Sequence, residues 1–203
     1  MQRARHNCRA AMLTNPELPA AAWVARFLPL IRPGGSVLDL AAGSGRHTRL
    51  LLRHGYRVRA VDRDVSALTP LAGANCSIEQ IDLETGAPWP LGGGYDGVIV
   101  TNYLYRPHLR ALAGTLAPGG AVIYETFMLG NERFGRPRSP EFLLHPGELI
   151  EAFAGLAVVA FEQGEVDTPR PAMIQRIAAL NGPVGRLPDT TRRRAAASLS
   201  PAG

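Results

Sequence analysis

The stretch Ser36-Val37-Leu38-Asp39-Leu40-Ala41-Ala42-Gly43-Ser44-Gly45 decides how the chain is read. Residues 37–40 form a short β-prone run, apolar apart from Asp39, of the kind buried on both faces of a parallel sheet. A turn of small residues follows, with Gly43 and Gly45 able to bring backbone close to a ligand without a Cβ in the way. Residues 46–54 then read as a helix stopped by Gly55. Strand, glycine turn and helix in that order set the free N–H groups of a helix start beside a ligand.

The same rhythm continues outward. Residues 23–31 have apolar positions at helical spacing and end at Pro33-Gly34-Gly35. Residues 56–61 read as a second strand ending at Asp62, 67–73 as a short helix, and 77–81 as a third strand ending at Asp82. After a turn-rich loop at 89–94 comes a strongly apolar fourth strand, 95–101. A helix over 107–116 is predicted next, closed by Pro118-Gly119-Gly120, and then a fifth strand, 121–127. A helix at 147–153 precedes two strands, 156–163 and 173–180, which read as an antiparallel closing pair. Strands alternating with helix-length segments predict an α/β fold, a parallel sheet with helices on both faces. The domain is expected over 23–181, with an N-terminal arm at 1–22 and a basic tail without periodicity at 182–203. Residues 128–146 break the rhythm. They are rich in glycine, proline and arginine, too long for an ordinary connection, and placed on the rim where open α/β sheets hold ligands.

Composition narrows the class. With 46% hydrophobic residues in 203, the chain can bury a full core. Two cysteines, Cys8 and Cys76, make no disulfide framework, and no His/Cys/Asp cluster has metal spacing, so no metal is expected. No apolar run reaches membrane-span length and residues 1–9 lack the apolar centre of a signal peptide, which leaves a cytoplasmic protein as the expectation. All 22 basic residues are arginine, and the net charge of +5 resides in the two ends, while residues between them carry slightly more acid than base. A basic end can make sequence-blind phosphate contacts, but a solvated tail is the simpler reading.

Three acids close three strands: Asp39, Asp62 and Asp82. Asp62 lies where an acid accepts from ribose hydroxyls, Asp82 can accept from the exocyclic amine of adenine, and Asp39 can hold the ammonium of an amino acid. A ligand with all three groups is S-adenosylmethionine. A dinucleotide fits less well. Its third glycine would fall at Thr48, and Asp39 would repel a pyrophosphate.

These blocks, together with Tyr95-Asp96-Gly97-Val98-Ile99 and Leu116-Ala117-Pro118-Gly119-Gly120, resemble the class I (Rossmann-like) S-adenosylmethionine-dependent methyltransferases, and among them the small bacterial tellurite-resistance-type group. The resemblance spans about residues 20–180. It implies a seven-stranded, mostly parallel sheet whose last strand is antiparallel. It also implies cofactor contacts at Asp39, Ala41, Gly43, Gly45, Asp62, Arg63, Asp82, Leu83, Thr101 and Asn102, with Ala41 standing where the loop's first glycine is usual.

The acceptor side rests on rim residues. Tyr103, Tyr105 and Arg106 follow the fourth strand, and Arg133, Phe134 and Arg136 lie in the long loop; a small-molecule methyl acceptor is expected there. Glu125, inside the fifth strand by pattern, needs a partner, and Arg133, Arg136 or Arg138 is expected to supply it and so anchor the loop as a lid. If the acceptor must lose a proton, Glu125, Tyr103 and His145 are the candidate bases. His47 and His54 read as packing or surface residues. Two other readings stand beside this one: an RNA methyltransferase using the arginine-rich ends, and a cofactor-binding module without catalysis. Oligomeric state is not encoded in any motif.

Overall fold

The computed structural model describes residues 18–185, so most of the expected N-terminal arm (1–22) and basic tail (182–203) lies outside the described residues. Seven strands form one sheet: β1 (Ser36–Leu40), β2 (Arg57–Asp62), β3 (Cys76–Gln80), β4 (Tyr95–Thr101), β5 (Leu116–Phe127), β6 (Ala157–Val166) and β7 (Ala172–Leu180). Their order across the sheet is β3-β2-β1-β4-β5-β7-β6. The pairs from β3 to β5 are parallel, and β7 runs antiparallel to both β5 and β6. β7 alone therefore opposes the others. The chain winds outward from β1 through β2 to β3, then returns to the other side of β1 with β4. Such a reversal opens a crevice at the carboxyl ends of the two central strands, where ligands bind in open α/β sheets.

Alternate residues of each strand feed opposite faces. Leu38, Leu40, Val98, Val100, Val122 and Tyr124 pack on one side with Leu149 and Phe153. Val37, Ile99, Ala121 and Ile123 pack on the other with Trp23, Phe27 and Leu51. All of β4 from Tyr95 to Val100 is buried, which explains why it reads as a continuous apolar run. Helix α1 (Ala22–Phe27) covers the second face, as does α2 (Arg46–Arg53). Among the described residues no helix is long and apolar enough to cross a membrane.

Two expected elements differ. The helix over 107–116 is two single turns, α3 (Arg106–Leu109) and α4 (Ala111–Gly114). Pro118-Gly119-Gly120 does not follow a helix but lies within β5. The pairing of β5 with β4 slips between Tyr95 and Gly97, and Gly119 N–H donates at 2.6 Å to O of Asn181, the residue after β7, which holds this glycine bulge in place. The helix at 67–73 shrinks to a 3-10 turn, Thr69–Leu71.

Close packing sets one glycine. A Cβ on Gly97 would sit 2.4 Å from Ile31 Cδ1, against the turn that follows α1. Gly97→Ala is expected to destabilise the chain by about 1–3 kcal/mol in chemical denaturation, as overpacked cores do. Adding Ile31→Val, which removes the clashing methyl, should recover part of that loss; independent, additive losses would contradict the contact.

Candidate functional site

The turn between β1 and α2 is built on left-handed backbone. Ala41, Gly43 and Gly45 have φ of 55°, 58° and 78°. Only Ala41 carries a Cβ there, a strained state for a non-glycine residue. Two hydrogen bonds stitch the turn to the end of β2: Ala42 N–H to Val61 O at 3.0 Å and Gly43 N–H to Asp62 Oδ2 at 2.8 Å. Asp62 Oδ1 accepts from Asp64 N–H at 3.1 Å. The acid expected on a ribose thus shapes the loop.

A cleft opens beside this turn, lined by Ala41, Asp62, Arg63, Ile81, Asp82, Leu83, Glu84 and Tyr103. Five of the sequence-predicted cofactor residues and one expected on the acceptor side come together here, although they derive from three strand ends and the segment after β4. Asp82 is exposed and Oδ1 accepts from Glu84 N–H at 2.9 Å, while Leu83 is buried beneath.

Asp39 lies deeper, 2% exposed, with Thr48 Oγ1 donating to Oδ2 at 2.6 Å. Thr48, which takes the place of a third glycine, is therefore the partner of the loop's acid. Burial pushes the Asp39 carboxyl up to about 7, against the pull of the Thr48 hydrogen bond.

Next to it, His47 is 2% exposed and bridges two elements. Its Nε2 accepts from Ala21 N–H at 3.1 Å, and its Nδ1 lies 3.3 Å from Thr101 Oγ1 at the end of β4. Burial, with the Arg46 charge beside it, lowers His47 to about 3, so the ring is neutral. The packing role expected of His47 holds, but it packs at the site. Asn102 has left-handed backbone, φ 54°, and its N–H donates to Glu125 O at 2.9 Å.

The partner expected for Glu125 needs correction. Glu125 pairs with none of the loop arginines. Its Oε2 accepts from Arg176 Nη1 of β7 at 3.0 Å, and Arg176 also pairs with Glu162 and stacks over Trp23 at 4.6 Å. The antiparallel register sets Glu125 and Arg176 side by side, which no local pattern announces. Arg133 bonds Gly130 O at 3.1 Å and Glu165 at 3.4 Å and stacks on Phe134 at 5.0 Å; Arg136 and Arg138 are exposed. The loop's anchor is Arg106, expected on the acceptor. It grips Glu148 with two bonds (2.7 and 2.9 Å) and donates to the carbonyls of Glu141 and Leu143. Burial raises the Glu148 carboxyl, but Arg106 and the His145 N–H outweigh it and hold it below its ordinary range. Tyr103 is buried, with Tyr124 OH donating to its carbonyl at 2.6 Å; Tyr105 meets His108 edge-on at 5.0 Å. His145 is exposed on the far side of the Arg106 clamp. Sequence reasoning missed Arg176 as the partner of Glu125, and nothing local marked it. Among the described residues no His/Cys/Asp/Glu group has metal-binding geometry.

The chain has the fold of the class I, Rossmann-like S-adenosylmethionine-dependent methyltransferases. The solved structure of TehB from Haemophilus influenzae superposes with a TM-score of 0.64 at 20% identity, over 77% of this chain and 60% of that one. A 1,6-didemethyltoxoflavin-N1-methyltransferase from Burkholderia thailandensis, solved with its substrate and S-adenosylhomocysteine, gives 0.59 at 22% identity, over 79% and 76%. In sequence, a protein-L-isoaspartate O-methyltransferase from Chlorobaculum tepidum is 30% identical over 113 residues, 50% of this chain. The chain spans about half the length of that curated relative. No family model matches.

Two outcomes follow from this geometry. A carboxyl raised from its unfolded value near 3.9 to about 7 keeps its proton in the native state while the unfolded chain loses it, so native stability falls as pH rises from about 4 to about 7. Relative to wild type, Asp39→Asn should abolish that part of the fall; an identical pH profile would refute the burial argument. Arg106→Ala should make residues 128–146 open more readily, read as about tenfold faster limited proteolysis, the equivalent of about 1.4 kcal/mol. Unchanged cleavage would show that the clamp does not hold the loop.

Proposed function

We propose that this chain is an S-adenosylmethionine-dependent methyltransferase acting on a small-molecule acceptor. The observation that carries the reading is the convergence of Asp39, Asp62 and Asp82 with the left-handed turn at 41–45, where β1 and β4 part. The donor set of the cofactor is two ribose hydroxyls, an exocyclic amine and an ammonium, and the residues present are acceptors at matching places. Asp62 would take the ribose, Asp82 with Leu83 the adenine, and Asp39 the ammonium. When bound, the cofactor supplies an activated methyl group on a sulfonium with its leaving group already in place.

The remaining work belongs to the chain: alignment and exclusion of water. Tyr103 walls the cleft, and Arg106 pins the 128–146 loop through the Glu141 and Leu143 carbonyls. Glu125 is engaged by Arg176 and positions it rather than serving as a base. An acceptor that arrives with its lone pair available suits such a site.

Binding measured by calorimetry and thermal shift tests the reading. S-adenosylhomocysteine at one hundred times its Kd should add about 2.7 kcal/mol of stability. The approach of an ammonium favours ionised Asp39, so binding releases a proton, and affinity should rise from pH 5 to about pH 7 and then level off. No stabilisation at saturating ligand overturns the methyltransferase reading. Stabilisation without methyl transfer to any small acid, amine or phenol, together with salt-sensitive RNA binding lost on deleting residues 182–203, would favour an RNA substrate instead.

A further inference from the structure

Arg46 is the first residue of α2, directly after the glycine turn, and it is half-buried. A guanidinium carries five donors. Among the described residues this one makes a single hydrogen bond, from Nη1 to Pro19 O at 3.4 Å. Asp39 and Glu125 act on it electrostatically, but neither forms an ion pair with it within 4.0 Å among the described residues. Glu125 is committed to Arg176 and Asp39 to Thr48. A strong donor thus stands over the carboxyl ends of β1 and β5 with most of its capacity unused.

His47, the next residue, supplies a second donor. A neutral imidazole has one N–H and one bare nitrogen. Because Nε2 accepts from the Ala21 N–H, the proton resides on Nδ1, and Nδ1–H donates to Thr101 Oγ1. A threonine hydroxyl that accepts from one side has its own proton to give on the other. Thr101 ends β4, in register with Glu125 and beside the turn, so that proton is available at the crevice. Two donors, one of them cationic, flank a site whose acid is already assigned to an ammonium. The complementary ligand is an α-amino-acid zwitterion.

We propose that Arg46 and the Thr101 hydroxyl hold the carboxylate of the cofactor's amino-acid group, with His47 as the positioning residue that makes Thr101 a donor. The inference rests on the methyltransferase reading and adds to it the end of the cofactor that the three acids leave unread. Charge-assisted bonds of this type are among the stronger ones in proteins. They also tell a full amino acid from its absence, which gives the test.

S-adenosylhomocysteine and 5′-methylthioadenosine share adenine, ribose and thioether, and only the first has the amino acid. Calorimetry with both ligands on the full chain separates the readings. Arg46→Gln should weaken S-adenosylhomocysteine by about tenfold to a hundredfold and leave methylthioadenosine within about twofold. Thr101→Val should show the same selectivity with a smaller loss. His47→Asn keeps a donor at the level of Nδ1 and should retain affinity, whereas His47→Gln reaches only the Ala21 N–H and should lose it; a merely structural histidine would not separate the two. Arg46→Lys, which keeps the charge, carries the test if the glutamine variant does not fold, and should fall between it and wild type. Unchanged S-adenosylhomocysteine affinity in Arg46→Gln, or equal losses for both ligands, overturns the carboxylate assignment and leaves the methyltransferase reading standing. Wild type that binds neither ligand overturns both.

Discussion

The hydrogen bond from Gly43 N–H to Asp62 Oδ2, 2.8 Å long, is the constraint on which the site depends. It ties the first turn of the fold to the end of the neighbouring strand, and it works only because the turn adopts left-handed backbone at residues 41, 43 and 45. With Ala42 N–H bonded to Val61 O, the turn is tied to the end of β2 through backbone as well. The cleft beside it is lined by Ala41, Asp62, Asp82 and Tyr103, and α2 begins directly after the turn. A Cβ on Gly45 would meet Leu68 and Leu71 at 2.9 Å, so the turn is confined from outside as well as from within.

Burial then decides what each charge at this end of the sheet can do. Asp39, enclosed and bonded by one hydroxyl, keeps its proton to about pH 7. His47, enclosed beside a guanidinium, stays neutral. Glu125 pairs with Arg176, and Arg176 is held in turn by Glu162 and the Trp23 ring. Arg26 extends the chain by pairing with Glu162 at 3.3 Å. This row of charges ties α1, β5, β6 and β7 together. A carboxylate expected to anchor the loop is, in the fold, paired with a neighbouring strand.

The long rim segment shows how the same reasoning half succeeds. Its length and composition mark 128–146 as unusual, and the structure does tether it. The tether is Arg106, which reaches the carbonyls of Glu141 and Leu143 and the carboxylate of Glu148 at once. A single arginine satisfying two carbonyls and an acid is a local solution to unpaired backbone groups in an irregular segment. The expected partners within the loop, Arg133 and Arg136, remain on its outer surface.

The sequence by itself determined the order of strands, the turn that ends β1, and the acids at three strand ends, because these depend on local periodicity and on backbone freedom that glycine alone supplies cheaply. It also carried the antiparallel closing pair. Only the tertiary structure decided which side chain meets which. Whether Glu125 faces a loop arginine or Arg176 depends on the register between strands some fifty residues apart, and a period-two pattern fixes the face of a residue without naming its neighbour. The proton position on His47 likewise follows from contacts with Ala21 and Thr101, two segments far apart in the chain that only the folded sheet brings to one ring.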